Sequence, residues 1–310
     1  MKIAVIFTGG TIGSRTNDKW ITVDATTKYD LLKHYENDTD ITFKTFSPYN
    51  ILSENLSAKE LNLLQKELCE RLSENYDGII VTHGSDTLQC TSTAIEMTFG
   101  NCSIPVIFVS ADYPLDNEKS NGYPNFRCAV EFIKNKIANG VFVSYKNDDE
   151  LITNIHIPSR ILMHNELNAN IYSIDKKSFA EYNGEFKINN VNIPENKEIT
   201  GIVNYTDDSQ ILVIPNMPGQ SYSYNLDNTK AILFKSYHSA TLNTANKKFV
   251  AFCKKASEMN IPMFVLGPES DTNYESTKIF KDLNIKILPY GTFISAYMKL
   301  WAKISTNTLN

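Results

Sequence analysis

Apolar runs of five or six residues recur along the chain with little polar alternation. They are "KIAVIF" from Lys2, "GIIVTH" from Gly78, "PVIFVS" from Pro105 and "VFVSY" from Val141. Runs of this kind suit strands covered on both faces of a sheet. A further strand, "ITFKTF", is expected from Ile41. Between the runs the apolar spacing becomes helical. "SAKELNLLQKELCERLSENY" places Leu61, Leu63, Leu64, Leu68 and Leu72 along one stripe. It opens with Ser57 and has Glu60 three residues on, the pattern of a capping box. "DTLQCTSTAIEMTF" predicts a second helix, with Asp86 as its N-cap. Strands that alternate with helices imply a mostly parallel, doubly wound α/β sheet.

That rhythm breaks between about residues 174 and 205. "KKSFAEYNGEFKINNVNIPENKE" is rich in Asn, Lys and Glu, and predicts a small hairpin followed by a linker. A second βα series follows, with strands expected at "QILVIP" (Gln210), "AILFKS" (Ala231), "PMFVLG" (Pro262) and "IKILP" (Ile285). Helices are expected at about 244–258, 273–283 and 291–305. The expected organisation is a larger N-terminal sheet domain over residues 1–185, a linker over 186–205, and a smaller Rossmann-like α/β domain over 206–310.

Composition narrows the function classes. The chain has 310 residues, with 42% hydrophobic and 21% charged, as in an ordinary globular protein. A net charge of −5 argues against a general nucleic-acid binder. No apolar run approaches the roughly 20 residues that cross a bilayer, and "MKIAVIF" meets Thr8 and two glycines too soon for a signal peptide. The expectation is a cytoplasmic protein without a membrane partner. The cysteines Cys69, Cys90, Cys102, Cys128 and Cys253 are scattered, and are expected as buried reduced thiols. His164 and Glu166 lie close together but lack a third ligand nearby, so no metal site is expected.

Ligands of open parallel sheets bind beyond the carboxyl ends of the strands. Four polar clusters fall there: "TGGTIG" from Thr8, "ILSENLS" from Ile51, "THGSDT" from Thr82 and "SADYPLDNEKSNG" from Ser110. Gly9, Gly10 and Gly13 have the wrong spacing for a dinucleotide turn, and no Gly-Lys-Ser/Thr ending marks a phosphate loop. A reactive hydroxyl explains more. Two glycines let the backbone turn sharply and approach a ligand, presenting Thr11 with its neighbouring amides as nucleophile and oxyanion donors. Ser85 offers a second hydroxyl, and Asp86 a carboxylate for an ammonium group. Taken singly, "TGGT" reads as a turn, "GSDT" as a helix cap and Ser53 as a surface loop residue. Their shared position at strand ends favours a site.

The two strongest clusters carry a family resemblance. "FTGGTIGS" and "GIIVTHGSDTLQCTSTAIE" resemble the two signatures of the bacterial-type L-asparaginases, closer to the cytoplasmic type. "ILSENLS", "SADYPLDNEKSNGYPNF" and "YGTFISAYMKLWAKI" resemble further segments of that family, so the likeness runs nearly end to end. The resemblance implies hydrolysis of L-asparagine to L-aspartate and ammonia through an acyl-enzyme on Thr11, with Ser85 and Asp86 in the catalytic group. It implies that Ser53, Glu54, Gly10 and Gly84 bind the substrate, Ser53 holding the α-carboxylate. It implies no metal or organic cofactor. It also implies a homodimer or homotetramer, with Glu275 and Asn243 of the second domain completing a neighbour's site.

Three positions depart from the family pattern. The usual activating lysine falls on Met163, whose thioether relays no proton, while Arg160 nearby stays protonated. Lys146 is the other lysine to consider. The tyrosine of the mobile loop falls on Trp20. Ser85 replaces a threonine and keeps the hydroxyl. Met163 and Trp20 together leave open a homologue that binds a small amino acid without efficient turnover, and the altered loop at Trp20 leaves open an amidase for a different amide.

Overall fold

The computed structural model describes residues 1–23, 26–148, 150–165, 167–193, 199, 201–269 and 273–309. The chain divides into two compact units, Met1–Asp207 and Asp208–Asn310. The first contains β1 (Lys2–Phe7), β2 (Ser14–Asn17), β3 (Trp20–Val23), α1 (Asp30–Lys33), β4 (Thr42–Phe46), α2 (Ala58–Leu72), β5 (Gly78–Thr82) and α3 (Leu88–Phe99). These are followed by β6 (Pro105–Val109), α4 (Gly122–Lys134), β7 (Gly140–Tyr145), β8 (Thr153–His156), β9 (Ala180–Tyr182) and β10 (Phe186–Ile188).

The large sheet has the order β10-β9-β8-β7-β6-β5-β1-β4. The pairs from β4 to β7 are parallel, and those from β7 to β10 are antiparallel. Burial on both faces explains the continuous apolar runs. Along β1 the pleat sends Ile3, Val5 and Phe7 into one core with Phe126 of α4, and Ala4 and Ile6 into another with Leu64 and Leu68 of α2. Helix α2 starts as the sequence predicts: the Ser57 side chain accepts from Lys59 N–H, and Glu60 accepts from Ser57 N–H at 3.2 Å. The expected hairpin is β9–β10, and it extends the large sheet.

Several sequence expectations need correction. Asp18, Lys19 and Trp20, which read as loop in the sequence, belong to the β2–β3 hairpin, which turns on Asp18 in the left-handed region (φ 53°). The side chains over 15–22 are exposed, so no apolar pattern announces the hairpin. Asp86 does not cap α3. The helix begins at Leu88, after Thr87, with no side-chain cap. Cys69 is exposed, whereas Cys128 and Cys253 are buried and all five thiols are free.

The second unit holds β11 (Ile211–Pro215), β12 (Ala231–Lys235), α5 (Lys247–Glu258), β13 (Met263–Leu266), β14 (Ile285–Leu288) and α6 (Phe293–Ser305). Its strands form one parallel sheet in sequence order. Where a helix was expected over 273–283, the described chain makes a 3₁₀ segment, Glu275–Phe280. No helix among the described residues is long and apolar enough to cross a membrane.

One buried carboxyl makes stability depend on pH. Glu96 of α3 is buried and accepts Ser159 N–H at 2.7 Å, holding the 158–160 turn. Burial pushes its pKa up to about 7 from an ordinary 4.5. Between those values the folded chain keeps a proton that the unfolded chain has released, so Glu96 lowers stability as pH rises through this window. Glu96→Gln keeps an acceptor for Ser159 and removes the charge. Thermal denaturation should find this variant more stable than wild type at pH 8, by on the order of 2 kcal/mol, and little changed at pH 5.

Candidate active site

Strand β1 lies between β4 and β5, so the loops after these three strands are neighbours at one rim. The chain leaves β1 for β4 on one side, then crosses back to β5 on the other. Such a switch point opens a crevice. Backbone bonds tie the first two loops: Gly10 N–H donates to Ile51 O at 2.8 Å, and Ile51 N–H to Thr8 O at 3.1 Å. Side chains tie in the third. Thr8 Oγ1 donates to Thr82 O at 2.6 Å, and Thr87 Oγ1 to Ser53 O at 2.9 Å.

The three loops also touch. A Cβ on Gly10 would stand 2.2 Å from Gly84 Cα, and a Cβ on Gly84 would stand 2.3 Å from Ser53 Oγ. Gly10 has φ 76° and ψ −176°, a conformation that is essentially glycine's alone. Gly9 and Gly10 lie against the backbone of Ile51 and Gly84, and Gly84 lies against the Ser53 side chain, so none of the three has room for a side chain. Thr11 follows directly, at the head of the 3₁₀ turn Thr11–Gly13, which Ser14 Oγ closes by donating to Gly10 O at 2.8 Å.

The structure thus brings Gly10, Thr11, Ser53, Gly84 and Ser85 to one rim. Ser53 is buried, Thr11 and Ser85 are half-buried, and Asp86 and Glu54 are exposed. Met163 is 45% exposed and Trp20, on β3, is 76% exposed. Arg160 is committed elsewhere, donating to Asp175 Oδ2 at 3.0 Å. Glu275 and Asn243 belong to the second unit, where Glu275 pairs with Lys278 at 3.3 Å.

His164 is the residue whose role at the rim the sequence did not reveal. Its Nε2 lies 3.0 Å from Ser85 O and its Nδ1 lies 3.2 Å from Asn170 O. Each ring nitrogen thus lies within hydrogen-bond reach of a backbone carbonyl. The available signal was its place immediately after Met163. Glu166 lies outside the described residues, and among the described residues no group of three or more His, Cys, Asp or Glu side chains is placed to hold a metal.

A second acidic feature stands in the loop after β6. Asp112 Oδ1 accepts from Asn121 N–H at 3.0 Å and Tyr113 N–H at 2.8 Å. Burial, reinforced by nearby Asp148, raises its pKa to about 6. Buried His83, one residue before Gly84, has its pKa lowered to about 4 by desolvation, which leaves its ring neutral at pH 7.

A doubly wound large unit with a glycine-lined rim at the end of β1, and a separate small parallel-sheet unit, make up an L-asparaginase-type fold. Residues 2–192 match the family model described as Asparaginase, N-terminal, and the chain belongs to that family. The L-asparaginase of Thermococcus kodakarensis superposes with a TM-score of 0.80 at 21% identity, over 98% of this chain and 93% of that one. L-asparaginase I of Vibrio cholerae gives 0.80 at 22% identity, over 100% and 94%. Curated relatives include a glutamyl-tRNA(Gln) amidotransferase subunit of Thermoplasma acidophilum, 28% identical over 188 residues, and its namesake of Methanosarcina acetivorans, 30% identical over 162 residues. These matches cover 60% and 52% of this chain, but only 46% and 38% of the relatives.

Proposed function

We propose that the protein hydrolyses the side-chain amide of L-asparagine, giving L-aspartate and ammonia through a threonine nucleophile. The observation that carries this reading is the mutual contact of Gly10, Gly84 and Ser53, which draws the loops bearing Thr11, Ser53 and Ser85–Asp86 to one rim. Thr11 Oγ1 attacks the amide carbon. The C–N bond breaks, ammonia leaves with the hydroxyl proton, and water then cleaves the ester to release aspartate and restore the hydroxyl. Asp86 grips the α-ammonium group, while Ser53 and nearby N–H groups hold the α-carboxylate, so that both substrate charges meet charge-assisted hydrogen bonds. Glu54, Gly10 and Gly84 shape the same pocket. Family membership supports the reaction class.

His164 supplies a polar ring at the rim where Met163 offers only a thioether. Its ring meets the Ser85 carbonyl, beside the hydroxyl that family members would assist with lysine. His164→Gln should lower kcat on the order of 10²-fold, and Met163→Lys in that background should recover much of the loss. An unchanged kcat in His164→Gln would remove histidine from this role.

A second reading comes from the curated relatives named as amidotransferase subunits: amide cleavage here serves a larger acyl substrate. Ammonia release from asparagine, glutamine and a larger carboxamide between pH 6 and 9 separates the two. Preference for free asparagine supports the first reading, and activity confined to the larger amide supports the second. Release from none of them argues for a binder without turnover. A cytoplasmic location agrees with the Campylobacter jejuni structure, described as a probable cytoplasmic L-asparaginase and similar in fold at a TM-score of 0.77 and 19% identity, over 99% of this chain and 96% of that one. A homo-oligomer that brings Glu275 and Asn243 to a neighbour's site completes the proposal.

A further inference from the structure

We propose that the first unit carries a second ligand site, separate from the crevice at β1, for a small organic anion with an aromatic body. A cleft of about 660 Å³ opens between α1, the start of α4 and the loops beside β7–β9. That volume suits a drug-sized molecule. Its walls include the rings of Tyr35, Tyr123, Phe126 and Tyr182, with Arg127 and Lys146 among them. No Asp or Glu lines it among the described residues. In a chain of net charge −5, a cleft with two cations and no carboxylate selects anions.

The ring geometry is built in advance. His34 packs edge-on against Tyr123 with centroids 4.4 Å apart, and Tyr35 meets Phe126 edge-on at 6.0 Å. Burial raises the Tyr35 phenol to about 12, so it stays neutral and adds no negative charge. Arg127 and Tyr182 both line the cleft, where burial raises the Tyr182 phenol's pKa and the nearby guanidinium acts against that rise. A guanidinium carries five N–H donors in a fork that matches a carboxylate. Glu131, one turn further along α4, is not in the lining and accepts from Asn135 Nδ2 at 3.3 Å, but its charge adds to burial in raising the Tyr35 and Tyr182 phenols, so anion binding rests on the direct contacts of Arg127 and Lys146.

Lys146 is held firmly at its backbone. Its N–H donates to Asn125 Oδ1 at 2.7 Å and its carbonyl accepts from Asn121 Nδ2 at 2.7 Å. This leaves its side chain to lean into the cleft. The cleft takes none of its lining from Thr11, Ser53, Ser85 or Asp86. The two sites therefore share no lining side chain.

Titration calorimetry of the full chain with 4-hydroxyphenylacetate, its neutral amide and acetate tests the site. The acid should bind with a dissociation constant below about 1 mM, its amide at least tenfold more weakly, and acetate without measurable heat. The double variant Arg127→Gln, Lys146→Gln should lose at least tenfold in affinity for the acid, with an unchanged thermal midpoint showing that it folds. Arg127→Lys should retain part of that affinity. Absence of binding by the acid, equal binding of acid and amide, or full affinity in the double variant would each overturn the proposal.

Discussion

Gly10→Ala is expected to disrupt the rim and lower folding stability by on the order of 2–4 kcal/mol. The new methyl group would meet backbone atoms of Gly84 at 2.2 and 2.3 Å and of His83 at 2.9 Å, none of which can turn aside as a flexible side chain can. It would also have to hold φ at 76°. The loop would swing away from Gly84, carrying Thr11 with it. Urea denaturation measures the stability loss, and ammonia release should fall with it. Gly13→Ala is the matched control. No atom lies within 4 Å of the added methyl there, and the backbone is not in the left-handed region. A change within about 0.5 kcal/mol is expected at Gly13.

The second large effect is chemical. Thr11→Ala should reduce ammonia release from asparagine on the order of 10³-fold or more, while leaving the denaturation midpoint nearly unchanged. Thr11 is only half-buried, and no packing contact in the core depends on its hydroxyl. Removing a nucleophile leaves substrate binding largely intact, so the loss should fall on kcat rather than KM. A loss confined to KM would make Thr11 a binding residue, and the nucleophile would have to be sought elsewhere on the rim.

The strands and long helices were legible because burial on both faces, or along one stripe, writes itself into residue spacing. The capping box at Ser57 and Glu60 was legible because each partner satisfies the other's backbone. The β2–β3 hairpin was not, because a mostly exposed ribbon carries no apolar pattern. The cap at Asp86 failed because Thr87, the residue before the helix, turns its hydroxyl to the Ser53 carbonyl. That bond joins residues 34 positions apart, and local pattern carries no trace of it. The same holds for His164. Nothing in the "LMHNE" stretch announces that its ring reaches Ser85, 79 positions earlier. By contrast, the convergence of Gly10, Ser53 and Gly84 was readable, because strand ends in a parallel sheet share one rim.

Rapid acid quenching of the protein during turnover of asparagine, followed by peptide mass analysis, tests the nucleophile directly. An aspartyl group attached to the peptide that contains Thr11, and absent from the Thr11→Ala variant, is the predicted result. An aspartyl group found on a different residue, or ammonia release that continues undiminished in Thr11→Ala, would contradict the account.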